Sequence, residues 1–239
     1  GLSPSQIATP IRAIVRHQRN ADVELGMVEG VDTERQEVIL DERRVRYDYL
    51  VLATGARHAY FGHHDWEHFA PGLKTLEDAT EQRKRILLSF ERAELETDPA
   101  ERERLTTFVV IGGGPTGVEM AGAIAEIGRI NKDKDYPTLR GTAIRAVLVE
   151  GGDRVLAGFS PELSARAARD LKRLGVEVRL KAFVTEVGPE GVRIGDEFLR
   201  SYCVVWAAGN AASPLLKTLD TPLDRMGRAV VGPDLALPD

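Results

Sequence analysis

The stretch Thr107-Phe108-Val109-Val110-Ile111-Gly112-Gly113-Gly114-Pro115-Thr116-Gly117-Val118 leaves few options for the chain around it. Residues 107–111 form an apolar run that predicts a strand buried on both faces. Helical spacing follows from Val118 to Ile130. Between them lies G-x-G-x-x-G, at positions 112, 114 and 117. The string is weak by itself, but a strand before it and a helix after it give it a physical meaning. Gly112 permits the tight turn, Gly114 puts no side chain between the backbone and a diphosphate, and Gly117 lets the helix approach the strand. Gly113 and Thr116 complete the loop, and Pro115 falls where an N–H would have no intrahelical partner. The helix start offers unpaired N–H groups and a positive dipole end to phosphate. The expected ligand of residues 112–117 is a dinucleotide.

Such a site needs a carboxylate at the end of the next strand. Glu150 stands there, after Ala146-Val147-Leu148-Val149. It lies farther past the loop than the usual ~20 residues, and the polar stretch 131–142, read as an insertion, accounts for the excess. A carboxylate here accepts hydrogen bonds from a ribose 2′-hydroxyl and repels a 2′-phosphate, which favours NAD(H) over NADP(H). Arg154 nearby counts against that preference. Glu119 has two readings that sequence physics leaves even: an acid favoured by the helix dipole, or a side chain facing the nicotinamide.

The remaining pattern predicts an α/β fold: a Rossmann-like, three-layer NAD-binding domain with a parallel sheet, inserted in a partial second domain. The expected boundaries are 1–73 for the partial domain, 74–225 for the NAD-binding domain and 226–239 for the return. Within 1–73, a helix is expected over 7–17, beginning near Pro10. Strands are expected at Val23–Leu25, Glu37–Leu40 and Val45–Ala53, the last ending in a doubly buried apolar run. In 74–225, Thr75 caps a helix over 75–95, with Asp78 three positions on, and Asp98-Pro99 breaks it. Strands follow at 143–150, 176–180 and 202–207, with a meander over 183–200. Ser160 and Gly175 bracket a helix over 161–174.

Composition removes several function classes. The net charge is −5 and no basic run stands free of acids, so nucleic acid is not an expected partner. Arg83-Lys84-Arg85 reads as a solvated helix face. A single cysteine, Cys203, cannot form an intrachain disulfide or a multi-cysteine metal site, and its apolar neighbours mark it as a small buried residue. His58, His63, His64, Asp65, Glu67 and His68 match no standard metal spacing, and no metal is expected. No apolar stretch is long enough to span a membrane.

Four stretches together resemble the type II NADH:quinone dehydrogenases. They are Val109 to Gly122, Tyr47 to Ala56 with its Ala53-Thr54-Gly55, Pro71 to Ala79, and Val204-Val205-Trp206-Ala207-Ala208-Gly209. The resemblance implies FAD as a second cofactor beside NAD(H), with Ala53, Thr54 and Gly55 near FAD and Ala208 and Gly209 lining the nicotinamide end. It implies that Glu119 lies near the contact of nicotinamide and flavin. Hydride would pass from NADH to FAD and then to a quinone. Other acceptors (ferredoxin, rubredoxin or a disulfide) and a non-catalytic NADH-binding module are the alternatives. The family's first FAD glycine loop, its later Gly-Asp stretch and its membrane anchor do not occur in this sequence. The chain is therefore expected to be the middle of a longer protein and to hold FAD weakly or not at all. A homodimer is one expected assembly. The expected location is cytoplasmic, with peripheral contact to the inner face of the membrane through regions not present in this sequence.

Overall fold

The computed structural model describes residues 6, 8–41 and 43–238. The chain forms two compact units, Gly1–Arg57 with Asn210–Asp239, and His58–Gly209.

The first unit holds a short helix, α1 (Ile11–Val15), and an antiparallel meander of β1 (Val28–Asp32), β2 (Glu37–Leu40) and β3 (Arg43–Arg46). A three-residue strand, β4 (Ala56–His58), runs to its boundary. The helix starts directly after Pro10, whereas Ile7 of the expected helix lies outside the described residues. Two expectations fail in this unit. Val23–Leu25 is not a strand, and the first strand is Val28–Asp32 instead. The apolar run up to Ala53 is not buried: β3 ends at Arg46, and Tyr49 and Val51 are 95% and 88% exposed. A doubly buried strand needs neighbours on both sides, and among the described residues no strand pairs with 47–55.

The second unit carries the glycine loop. Four parallel strands, β5 (Thr107–Ile111), β6 (Arg145–Val149), β7 (Val176–Arg179) and β11 (Cys203–Trp206), lie in the order β11-β5-β6-β7. Their side chains alternate between two cores. Phe108, Val110, Ala146, Leu148, Cys203 and Val205 face the helices α2 (Leu76–Leu95), α4 (Pro115–Asp135) and α5 (Pro161–Leu174), meeting Phe90, Ile124 and Leu171. Val109, Ile111, Val147, Val149, Val204 and Trp206 face the meander β8 (Val184–Gly188), β9 (Gly191–Ile194) and β10 (Glu197–Arg200). This is the three-layer arrangement that the strand–helix alternation predicts. Cys203 is fully buried, and burial pushes its thiol up to about 12, so no thiolate forms near neutral pH.

Local signals account for the helix ends. Ser160 accepts the Leu163 N–H, and Gly175 closes α5 at φ +88. A short helix, α3 (Pro99–Leu105), follows the break at Asp98. Helix α4 continues to Asp135 and so takes up part of the stretch read as a polar insertion. Thr75 and Asp78 form a reciprocal capping box at the start of α2. Burial raises the Asp78 carboxyl, but hydrogen bonds from the Lys74 N–H, the His58 ring and the Thr75 N–H outweigh it and hold the pKa below the usual range. A carboxyl depressed on folding contributes stability above its unfolded pKa of about 3.9, and that contribution is lost as pH falls through the folded value. Asp78→Asn should therefore cost about 1 kcal/mol at about pH 6 and less at about pH 3. Urea midpoints at both pH values check this, and a gap that does not narrow in acid would refute it.

The two compact units divide at 57/58 and 209/210, whereas the expected domain boundaries stand at 73/74 and 225/226. The reason is long-range. Tyr60, Trp66 and Ala70 belong to the core under β11. The Trp206 indole N–H donates to the Ala59 carbonyl at 3.0 Å and its backbone N–H to the Pro71 carbonyl at 3.1 Å. Past 209, the Thr218 hydroxyl accepts the Val31 N–H at 3.1 Å and belongs with the first unit. Arg85, read as solvated, instead donates to the Phe69 and His68 carbonyls, both at 3.0 Å, and so ties this segment to α2.

Candidate functional site

The chain leaves β5 toward β6 and β7 on one side, while β11 lies on the other. The C-terminal ends of β5 and β11 therefore flank the point where strand order reverses, which is where open α/β sheets form a ligand crevice. The glycine loop sits there, and three of its glycines are required by the protein itself. Gly112 has φ +110, and a Cβ on it would lie 2.6 Å from the Ala207 carbonyl. A Cβ on Gly117 would lie 1.8 Å from the Gly112 oxygen, and one on Gly113 would meet Glu150 Oε2 at 2.8 Å. Gly114 differs: nothing lies within 4 Å of the position its Cβ would take. It is the N-cap of α4, followed by Pro115 at the first helical position and by a partly exposed Thr116. The first turn of the helix thus begins at an open surface, where its N–H groups have no intrahelical partners.

Glu150 is placed against this loop. Its Oε2 accepts the Gly113 N–H at 2.5 Å and its Oε1 accepts the Gly152 N–H at 2.6 Å. Its own N–H donates to the Arg179 carbonyl and its carbonyl accepts from Ala182, while the Gly113 carbonyl accepts the Leu156 N–H. The carboxylate is partly exposed. It has about four lone-pair positions and these two bonds leave others for a ligand diol. Two arginines nearby are engaged elsewhere. Arg179 is held by Glu177 at 2.7 Å and Glu197 at 2.8 Å, and Arg154 donates to the Ala157 carbonyl.

The other candidate residues divide by unit. Glu119 is exposed on the second turn of α4. Ala208 is partly exposed and Gly209 exposed directly after β11, and Gly209 has φ +82. Ala53, Thr54 and Gly55 belong to the first unit; all are exposed, and Gly55 has φ +65 with open space where a Cβ would be. Histidines of the 57–68 segment pack against neighbours: His58 on Asp78 at 3.1 Å, His63 stacked on Trp66, and His68 edge-on to Phe69. Among the described residues no group of three or more His, Cys, Asp or Glu could hold a metal ion, and no helix is long and apolar enough to cross a membrane. Sequence reasoning passed over two features. One is Gly152, whose spacing from Glu150 suits a turn back onto that carboxylate. The other is Phe61, a bulky residue before a glycine in a turn, whose ring lies on Gly209.

Comparison with known proteins gives a consistent picture. Residues 3–237 match the pyridine nucleotide-disulphide oxidoreductase family. The chain is 43% identical, over 99% of its length, to the type II NADH:quinone oxidoreductase NdhA of Mycobacterium tuberculosis, and 41% identical over 99% to Ndh of the same organism. It covers 53% and 54% of those two proteins, so it spans about half the length of the curated relatives it matches. Among solved structures, NDH2 of Plasmodium falciparum in complex with NADH superposes with a TM-score of 0.75 at 23% identity, covering 85% of this chain and 44% of that one. A NAD-dependent persulfide reductase from A. fulgidus gives 0.71 at 23% identity, covering 95% and 39%. The chain belongs to the pyridine nucleotide-disulphide oxidoreductase family, and over nearly its whole length it is similar to the family's type II NADH:quinone members.

Proposed function

We infer that the His58–Gly209 unit binds NADH, and that the whole protein oxidises it by passing hydride to FAD and then to a quinone. The observation that carries this reading is Gly114. It faces open space at a helix start, while its three neighbouring glycines are consumed by backbone contacts and by Glu150. A diphosphate can approach the Gly114 backbone and meet the helix N–H groups there. Glu150 then accepts from the adenosine ribose hydroxyls, and the pairing of Arg179 with Glu177 and Glu197 leaves it a poor partner for a 2′-phosphate. NAD(H) is accordingly preferred over NADP(H).

Residues 112–117 and Glu150 hold the adenosine diphosphate half, and the backbone of Ala208 and Gly209 lines the nicotinamide end. Glu119, exposed on the helix behind the loop, is the acid this reading puts near the contact of nicotinamide and flavin. Two M. tuberculosis relatives are named as NADH:quinone oxidoreductases, which favours quinone over other acceptors. FAD, when bound, supplies the two-electron acceptor for the hydride. What the described residues offer it is the exposed backbone of Ala53-Thr54-Gly55, with Gly55 open to close approach. No general acid–base pair is required of the protein, whose part is to hold and orient the reactants.

The test adds NADH to the chain with and without FAD and a soluble quinone analogue. Saturable NADH binding, and absorbance loss at the NADH band that depends on FAD, are the expected results. Binding without oxidation under any of these conditions would remove electron transfer from this chain while leaving nucleotide binding in place. Absence of binding would remove both.

A further inference from the structure

Phe61 occupies a position that the fold alone does not favour for an aromatic residue. The turn Tyr60-Phe61-Gly62-His63 is closed by the His63 N–H on the Tyr60 carbonyl at 3.0 Å. Phe61 has φ +52 and Gly62 φ +95. Positive φ at both central residues is the pattern of a type I′ turn, which favours asparagine, aspartate or glycine at the first of them. A bulky side chain there is strained, and strain of this kind clusters at functional sites. Burial does not offset it, because Phe61 is 66% exposed, whereas Tyr60, Trp66 and Trp206 behind it are buried. The ring has one close seat. A Cβ built on Gly209 would lie 2.6 Å from Phe61 Cζ, so the ring sits directly on the Gly209 backbone, and a side chain there would push it aside. Its contact with Trp206 is a tilted one, with centroids 6.3 Å apart.

The place of this ring follows from the sheet. Glu150 follows β6, on one side of the reversal point, and Gly209 follows β11, on the other. A dinucleotide laid across the C-terminal edge, with its diphosphate over Gly114 and one ribose at Glu150, extends its other half toward β11. That half carries the nicotinamide, and the exposed aromatic ring beside Gly209 on this side is Phe61.

We propose that Phe61 is a specificity residue of the nucleotide site, whose exposed ring packs against the nicotinamide and distinguishes the whole dinucleotide from its adenosine diphosphate half. The proposal rests on the NADH reading above. Phe61→Asn removes the ring and suits the turn. NADH and ADP-ribose, which lacks the nicotinamide, are titrated by calorimetry against the whole chain and the variant, alongside melting temperatures. The variant should bind ADP-ribose as the parent does, bind NADH about three- to tenfold more weakly, and melt no lower than the parent. A parent chain that binds ADP-ribose, with a variant whose ratio of NADH to ADP-ribose affinity is unchanged, sinks the Phe61 assignment alone. An equal fall for both ligands, with a lower melting temperature, shows a merely structural ring and sinks it too. A parent that binds neither ligand sinks the nucleotide reading, and this one with it.

Discussion

Gly117→Ala should destabilise the chain by about 3 kcal/mol or more, while Gly114→Ala should leave stability within about 1 kcal/mol and weaken NADH binding at least about tenfold. The two glycines stand three residues apart in one loop, yet their surroundings are opposite. At Gly117 a methyl group would meet the Gly112 carbonyl oxygen at 1.8 Å, with the Ala207 Cβ 3.4 Å away. Both the oxygen and the helix that carries residue 117 are backbone, so relief means moving α4 off β5. Such overpacking is costly because interiors are close-packed, and the loss is a sizeable share of a domain's marginal stability of about 5–15 kcal/mol. At Gly114 the backbone has φ −72 and ψ −178, ordinary for alanine, and there is nothing for the methyl to meet. The remaining cost is that of alanine at an N-cap. Under the proposed NADH reading, the same methyl would occupy the space through which a diphosphate reaches the helix N–H groups. Thermal melts and NADH titrations of both variants separate the two duties. A Gly114→Ala chain that binds NADH as tightly as the parent would remove the diphosphate from this loop.

Much of this division could be read from the sequence, because each glycine's duty follows from its order in the motif and from the strand and helix beside it. The helix ends were legible for a similar reason: Thr75 with Asp78, Ser160 before Pro161, and Gly175 act within a few residues of chain. What sequence reasoning misplaced depends on partners distant in the chain. The apolar run ending at Ala53 has the composition of a buried strand, but burial is conferred by neighbours, and none of the described strands pairs with it. The compact unit begins near residue 58, ahead of the expected domain start, because Trp206 reaches back to Ala59 and Pro71, and no local pattern reports such contacts. Phe61 was passed over because its significance lies in a positive φ and in exposure, both invisible in composition. The place of a carboxylate at the end of β6 was legible, but its structural bonds to Gly113 and Gly152 were not.

Those bonds give Glu150 a structural part beside its proposed contact with the ribose, and its removal should act on two quantities at once. In Glu150→Ala the Gly113 and Gly152 N–H groups lose a charged acceptor each, and Gly113 is buried. Hydrogen bonds to charged groups are worth about 1.5–3 kcal/mol each. Partial exposure of Glu150 lets water replace some of this, so a stability loss of about 2 kcal/mol is expected. NADH affinity should fall by more than the ribose bonds alone would require, because the loop must also be ordered on binding. Glu150→Gln separates the two contributions. An amide has one oxygen where the carboxylate has two, so it can accept from Gly113 or Gly152, but its nitrogen then points a donor at the other N–H. Glutamine is therefore not a conservative change here and should fall between glutamate and alanine in both stability and affinity. Chemical denaturation and NADH titration of the three proteins read out both quantities. If alanine lowers affinity without touching stability, Glu150 serves the ligand alone, and the bonds to Gly113 and Gly152 contribute nothing to the fold.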